Sequence, residues 1–172
     1  ELGKENLEAL GKGMANIESH VNNIRTNHGR PCGVAINHRT EDTDAEVKLL
    51  QDKMAHHGAK VILARHWAEG GKGAVDVANE VVRLCEEPNS FKFVYEESLP
   101  LWDKMKAIAT KIYGAADLTA DSKVRAQLKK LQESGYGHYP VCAATAHYPF
   151  STAPPLRRAP PGPGGTQPGC RA

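Results

Sequence analysis

Short apolar runs alternate with helix-patterned segments along most of this chain. Apolar runs at residues 32–36 and 60–64 are each followed by polar residues, and then by apolar side chains at three- and four-residue steps. Phe91–Tyr95 alternates like a third strand, and Tyr139–Ala144 is a further strand candidate. This order predicts an α/β fold with a mostly parallel sheet and crossover helices.

The helical segments are marked by apolar side chains on one face. The first begins at Leu7, and Gly11 and Gly13 weaken it enough that a division into two helices stays open. Thr43 or Asp44 is expected to cap the second helix. Later helices are expected at residues 74–87, with Val77, Val81 and Leu84 inward, at residues 101–113, with Trp102 in the core, and at residues 122–133.

Length and composition set the domain organisation. A chain of 172 residues is long enough for one domain or slightly more. We expect an α/β segment at residues 1–114, the start of a further small α/β segment at residues 115–150, and a disordered tail at residues 151–172. The tail is rich in Pro and Gly, so it cannot bury enough apolar surface to offset its ordering entropy.

Charge and cysteine usage exclude several partner classes. A net charge of +2, without a basic stripe interleaved with aromatic residues, gives no support for nucleic-acid binding. Neither a membrane-spanning apolar stretch nor a signal peptide is visible, so no membrane partner is expected. The cysteines lack Cys-x-x-Cys spacing, which favours reduced thiols in the cytoplasm over a metal site, with Cys32 and Cys85 in the core.

Residues 65–73 form the strongest candidate binding segment. They follow the apolar run at 60–64, and ligands bind at the carboxyl ends of strands in open α/β sheets. Trp67 offers a stacking face, and the segment also contains Glu69, Gly70, Gly71, Lys72 and Gly73. The spacing matches neither a phosphate-binding loop nor a dinucleotide fingerprint. A ligand site and a tight turn with a half-buried Trp both remain open, as does pairing of Glu69 with Lys72.

Asn37 directly follows the apolar run at 32–36, two residues before Arg39. Its amide is suited to hydrogen-bond a base or a pterin-like ring, although the residues alone favour a turn Asn that caps the strand end. His66 is either a proton carrier or a plain loop His. No paired carboxylates and no Ser-His-Asp or Cys-His set can be assembled from the spacing, so the catalytic residues stay unknown.

A series of short motifs runs through the chain in a specific order. They are Glu5–Leu10, Asn16–His20, Val34–Asn37, Asp42–Glu46, His66–Gly73, Phe91–Tyr95, Leu99–Pro100, Lys111–Ala115, Gly135–Gly137 and Tyr139–Cys142. Together they resemble the formate–tetrahydrofolate ligases, also called 10-formyltetrahydrofolate synthetases, over roughly residues 1–152. The resemblance implies part of a P-loop-NTPase-like ligase fold.

The resemblance also implies an activity. The family couples ATP cleavage to formate activation through formyl phosphate, and then transfers the formyl group to tetrahydrofolate. ATP with Mg²⁺ and tetrahydrofolate are therefore expected as substrates of the complete enzyme, which usually forms homo-tetramers. The family's phosphate-binding loop lies upstream of the matched region. We therefore expect an internal-to-C-terminal fragment that is inactive alone and binds none of these ligands by itself. The alternative is a non-catalytic α/β module that binds a folate-like or nucleotide ligand.

The resemblance assigns roles to individual residues. Trp67 stands where the family has the Trp that forms one wall of an aromatic sandwich around the folate ring. Arg39 stands where the opposite wall is usually Phe, and its guanidinium is also able to stack on a flat ring. Asn37 falls on the nucleotide side. Folate contacts are further expected from Glu69, Gly70, Gly71 and Lys72. Ala144–Ala146 departs from the usual Ala-Lys-Thr, and thus lacks a common Lys.

Overall fold

A computed structural model describes residues 3–143 and 170–171 of the chain. The chain divides into two compact units, Glu1–Phe91 and Lys92–Ala172. The domain boundary expected after residue 114 stays a prediction. The segment expected to be a disordered tail lies outside the described residues, apart from Cys170–Arg171.

The first unit alternates helices with two strands. Its elements are α1 (Leu7–Asn22), a π-helical turn (Asn23–Asn27), β1 (Val34–Asn37), α2 (Asp44–Ala55), β2 (Val61–Ala64), α3 (His66–Glu69), a 3-10 turn (Gly70–Ala74) and α4 (Val75–Glu86). β1 and β2 pair in parallel, with Val34 opposite Val61 and Asn37 opposite Ala64.

The second unit is mainly helical. Its elements are α5 (Leu101–Lys111), β3 (Leu118–Thr119), α6 (Ser122–Glu133), a 3-10 turn (Tyr136–His138) and β4 (Cys170–Arg171). β3 and β4 pair in parallel. The predicted α/β class with parallel pairing is confirmed, but each sheet among the described residues has two strands.

The first two helices begin where side chains cap them. The Asn6 side chain accepts a hydrogen bond from the Ala9 N–H at 2.9 Å, and α1 then runs unbroken through both of its glycines. Thr43 caps α2 as expected, and it forms a capping box with Glu46. The possible division of the first helix is therefore not found. Burial of Met14 and Val21 on one face stabilises the continuous helix.

Helices cover both faces of the β1–β2 pair. On one face α1 and α2 form a core of Met14, Val21, Met54, Ala59 and Val61, with Val34 and Ile36 packed against it. Because strand side chains alternate, Gly33 lies on the other face. A Cβ there would sit 3.6 Å from the side chains of Glu80 and Leu84 in α4. Three of the four residues of β2 are buried, as is typical of a strand inside a parallel sheet.

The inward face of α4 differs from the prediction. Val81 was expected inside but is 53% exposed, whereas Glu80 is 3% exposed. The Glu80 carboxylate accepts hydrogen bonds from Lys60 Nζ at 3.0 Å, Arg83 Nε at 3.0 Å and Arg83 Nη2 at 2.6 Å. The hydrogen bonds from Arg83 lower the pKa of the Glu80 carboxyl most. Together with Lys60 they outweigh burial, which raises this pKa, and bring it to about 2. The cations of Lys60 and Arg83 therefore allow the Glu80 carboxylate to lie on the buried face of α4, where Val81 was expected.

The segment at 91–95, predicted as a strand, has no strand structure. The Phe91 ring instead lies beside a guanidinium and an imidazole ring of its own unit. The Arg30 guanidinium lies 4.9 Å from the ring centroid, and the His28 ring lies parallel at 6.4 Å. Phe93 is exposed. The alternation of apolar side chains here does not reflect a sheet, so this prediction is wrong.

The described part of the last predicted strand, residues 139–143, is not a strand either. Lys104 is completely buried, and its ammonium donates to the carbonyls of Gly137 at 2.9 Å and Tyr139 at 3.0 Å. The Tyr95 hydroxyl accepts from the Val141 N–H at 2.9 Å. Two side chains therefore satisfy main-chain groups that a neighbouring strand would otherwise bind. Residue 144 lies outside the described part.

The second unit has a small core of Ala109, Ala115 and Leu118, and Trp102 packs against it. The Arg125 guanidinium covers the Trp102 ring at 4.2 Å from its centroid, so the expected core Trp is half-buried. Because Pro100 precedes α5 and has no capping side chain, Gln132 Oε1 accepts the Leu101 N–H at 3.0 Å instead.

The two cysteines predicted for the core behave differently. Cys32 packs against the core of the first unit, and burial raises the pKa of its thiol. Cys85 is exposed, so its placement in the core is wrong. No helix in the described part of the chain combines the length and apolar character needed to cross a membrane.

We expect acid to destabilise the first unit through Glu80. A carboxylate with its pKa lowered from 4.5 to about 2 contributes stability that is complete above pH 4.5 and is lost as pH falls through 2. Glu80→Gln should lower the urea midpoint at pH 6 and flatten its decline towards pH 2, measured by circular dichroism. Glu86→Gln, an exposed change in the same helix, is the control, and equal pH profiles for both variants would contradict the assignment.

Candidate functional site

The carboxyl ends of β1 and β2 lie at one edge of the sheet because the strands are parallel. Asn37 is the last residue of β1 rather than the first after it, and it pairs in register with Ala64. The His38 N–H donates to the Ala64 carbonyl at 3.2 Å, which extends the pairing by one residue. The segments that carry the predicted site residues therefore leave the sheet side by side.

The segment at 65–74 forms a pair of short helical turns. The Arg65 carbonyl accepts the N–H groups of Ala68 at 3.1 Å and Glu69 at 2.9 Å. The Arg65 N–H donates to the Gly73 carbonyl at 2.9 Å. The main chain of Arg65 thus closes the segment on itself. Sequence reasoning did not single out this residue, although its four-residue spacing from Glu69 was a usable signal.

At two positions of this segment the local backbone requires a glycine. Gly70 ends α3 with φ at 59°, a conformation that other residues rarely adopt. A Cβ at Gly73 would overlap with the carbonyl carbon and oxygen of Arg65. Around Gly71, by contrast, a Cβ would meet nothing within 4 Å. Gly70 and Gly73 therefore shape the turn, while Gly71 leaves open space at the surface.

Trp67 lies in α3 and is 86% exposed. The tight turn of the alternative interpretation is present, but its Trp is not half-buried. An indole ring carries a large apolar face and one N–H donor, so its exposure leaves a flat surface free to stack. A cavity of about 510 Å³ elsewhere in the first unit is lined by none of the predicted site residues, and the Trp67 ring does not stand inside it.

The charged residues at this edge are exposed. The Arg39 N–H donates to Asp42 Oδ2 at 2.8 Å, and this turn leaves the Arg39 guanidinium in solvent. Glu69 Oε1 lies 4.0 Å from Arg65 Nη1, and the pairing with Lys72 that the sequence left open is not found within residues 3–143. For the Lys72 ammonium and the Asn37 amide, no hydrogen bond is found within residues 3–143. The edge therefore presents a flat ring, the exposed cations of Arg39 and Lys72, the Arg65–Glu69 pair and an amide.

Within residues 3–143, no group of three or more His, Cys, Asp and Glu side chains is placed to hold a metal ion. His57 Nε2 instead lies 3.7 Å from Glu18.

Sequence comparisons place this chain among known proteins. Residues 1–163 match the sequence model of a family described as formate–tetrahydrofolate ligase. Proteins of that name are 63% identical in Methylibium petroleiphilum over 166 residues and 50% identical in Methylococcus capsulatus over 163 residues. One from Granulibacter bethesdensis is 49% identical over 162 residues. Each match covers 94% of this chain but only 28–30% of the relative.

We expect the turn at 65–74 to depend on Gly73 and not on Gly71. Gly73→Ala should destabilise the first unit by about 1–3 kcal/mol, because its methyl group overlaps with the Arg65 carbonyl. Gly71→Ala adds the same methyl group in open space and serves as the control. Urea unfolding followed by circular dichroism compares them, and equal midpoints for the two variants would argue against the closed turn.

Proposed function

This chain belongs to the formate–tetrahydrofolate ligase family, and on that premise we propose that it forms the folate-binding side of an ATP-dependent ligase. The complete enzyme would join formate to tetrahydrofolate through formyl phosphate and give 10-formyltetrahydrofolate. The chain spans about 30% of the length of the relatives that it matches. The reaction is therefore proposed for the complete enzyme and not for residues 1–172 alone.

The exposed ring of Trp67 carries this proposal. It stands at the carboxyl edge of the sheet, where ligands bind in open α/β folds. A pterin ring is flat and aromatic, and stacking on an indole is worth about 1 kcal/mol beyond the buried area. A Trp left 86% exposed gains this contact without first breaking others.

Arg39 is proposed as the second wall. A guanidinium is planar and stacks on aromatic rings, so an Arg is able to substitute for the usual Phe while adding a positive charge. The Asp42 turn holds the backbone of Arg39 and leaves its side chain free to reach a ligand. Lys72 and Glu69 supply polar contacts, and Gly70 and Gly71 leave room for the ligand to approach. Asn37 is proposed to face the nucleotide side.

The remaining features of the enzyme are also proposals. A P-loop-NTPase-like fold, with ATP and Mg²⁺ bound by residues outside this chain, agrees with the parallel strands and with the lack of a phosphate-binding spacing in the sequence. Cytoplasmic location agrees with the scattered cysteines. A homo-oligomer is proposed from the family alone.

A non-catalytic folate-binding module is the second candidate, because the first unit has its own core and its own exposed ring. Titration of the isolated chain with folate, read by Trp fluorescence, separates the two. Quenching that is lost in Trp67→Phe and kept in Trp102→Phe, on a cooperatively unfolding chain, would favour the module. Absence of binding would favour a segment that works only in the complete enzyme.

Trp67→Ala should weaken tetrahydrofolate use selectively. The test enzyme is a chimera in which this chain replaces the matching segment of the Methylibium petroleiphilum ligase. We expect the KM for tetrahydrofolate to rise roughly fivefold or more, with little change for ATP, because only the pterin loses its stacking partner. Trp67→Phe, which keeps a flat ring, should retain most of the affinity. Equal effects on both substrates would count against the pterin role.

Arg39→Phe tests the second wall in the same chimera. If Arg39 stacks on the pterin, a Phe restores the usual aromatic pair, and the KM for tetrahydrofolate should stay within about threefold of the parent value. Arg39→Ala removes both ring contact and charge and should raise that KM. A KM unchanged in Arg39→Ala would remove this residue from the site.

A further inference from the structure

α4 carries an apolar stripe on the face turned away from the sheet. Glu80 and Leu84 of this helix lie beside Gly33, next to β1. The opposite face carries four exposed side chains, which we call the outer stripe: Val75, Ala78, Val82 and Cys85. Val75 is 52% exposed and Val82 is 60% exposed. Single apolar residues are ordinary on a protein surface, but four on one side of a helix form a continuous patch.

The spacing of the outer stripe is that of helices which pack side by side. From Val75 to Cys85 the steps are three, four and three residues, as between the a and d positions of a heptad. The two valines take the a positions, and Ala78 and Cys85 take the d positions. Side chains at a and d insert between those of a facing helix. The outer stripe therefore has the pattern of a helix that packs against another helix.

A second copy of α4 in antiparallel orientation fits the outer stripe. If a two-fold axis passes near Glu80, Val75 of one copy faces Cys85 of the other, and Ala78 faces Val82. Each larger side chain then meets a smaller one at all four positions. A parallel pair would instead set Val against Val and leave a gap between the small residues. The sizes of the side chains thus favour the antiparallel pair.

The rim of the outer stripe carries complementary charges. Glu86 lies in the last turn of α4 and Lys72 lies just before its first turn, and the helix dipole disfavours both placements. Within residues 3–143, neither side chain has a hydrogen bond or an ion pair. Each lies seven residues from Asn79. The antiparallel arrangement brings Lys72 of each copy to Glu86 of the other, and both Asn79 side chains to the axis.

We propose that the outer stripe of α4 is a contact surface between two copies of this chain, with the two helices antiparallel about a two-fold axis near Glu80. A contact of three helical turns is small, so the isolated chain should associate weakly, and in the complete ligase this contact acts together with others. The proposal gives the proposed homo-oligomer a specific contact surface. It is independent of the folate role of Trp67.

Cysteine cross-linking of the full chain tests the orientation. Val75→Cys places a thiol opposite Cys85 of the second copy, so oxidation with copper phenanthroline should give a dimer with a disulfide between position 75 and Cys85, identified by peptide mapping. About 15 Å separates these positions along one helix, so the bond cannot form within one copy. Asp76→Cys, an exposed change that faces away from the stripe, is the control and should give no bond to Cys85.

Two results of this experiment would overturn the proposal. Bonds that join position 75 to position 75, and Cys85 to Cys85, would identify a parallel pair. Equal yields for Val75→Cys and Asp76→Cys would show that the bonds form by random collision.

The chimeric ligase described above tests the same surface in a complete polypeptide. With Val75→Cys present, Val82→Lys should lower the yield of the cross-link at least about tenfold, because it places a charge inside an apolar contact. Asp76→Lys, off the stripe, should leave the yield unchanged. A chimera that never forms the cross-link, and that Val82→Lys destabilises at every protein concentration, would show that another segment of the same polypeptide covers the stripe. That result would overturn the proposal.

A charge exchange tests the register of the two copies. Glu86→Lys sets like charges against Lys72 of the other copy and should reduce the cross-link yield. Addition of Lys72→Glu should restore it. The readout is the cross-link and not the activity, because Lys72 is also a proposed folate contact. A double variant that cross-links no better than Glu86→Lys alone would overturn the antiparallel register.

The outcomes for this surface and for the folate site are distinguishable. Cross-links report the contact between copies of α4, whereas the Trp67 variants report the KM for tetrahydrofolate. Cross-links between position 75 and Cys85 with no effect of Trp67→Ala would retain the contact and reject the pterin role. The reverse result would retain the pterin role and reject the contact.

Discussion

The parallel pairing of β1 with β2 is the constraint on which the first unit depends. It places Asn37 beside Ala64, and therefore brings the two segments with the candidate site residues to the same edge of the sheet. The same register directs the main-chain groups of Val61 and Leu63 away from β1. One short strand pair thus sets the position of the candidate site.

Local signals in the sequence predicted most helices well, because caps and apolar spacing are local. Thr43 with Glu46 begins α2, and the expected helix Ser122–Glu133 agrees with α6. The errors arose where distant side chains decide the structure. Hydrophobic periodicity predicts Val81 on the buried face of α4. The pattern does not include the distant Lys60, whose ammonium neutralises the buried Glu80 carboxylate.

The candidate site shows the same division. The sequence placed Trp67 and its neighbours after a strand, and family resemblance supplied the proposed stacking role. It did not predict that the main chain of Arg65 closes the turn, or that the Trp67 ring projects into solvent. Those features depend on the positions of main-chain atoms in three dimensions. The second wall of the proposed sandwich around the folate ring depends on Arg39. Its guanidinium is flat like the ring of the usual Phe but carries a positive charge.

The burial of Lys104 has a chemical consequence. Its ammonium is inaccessible and bonds to the carbonyls of Gly137 and Tyr139, so reagents that acylate lysines cannot attack it while these contacts persist. Acylation requires the segment at 137–139 to separate from α5 first. Acylation of Lys104 therefore reports local opening of the second unit. Its labelling rate measures how often this unit exposes its interior.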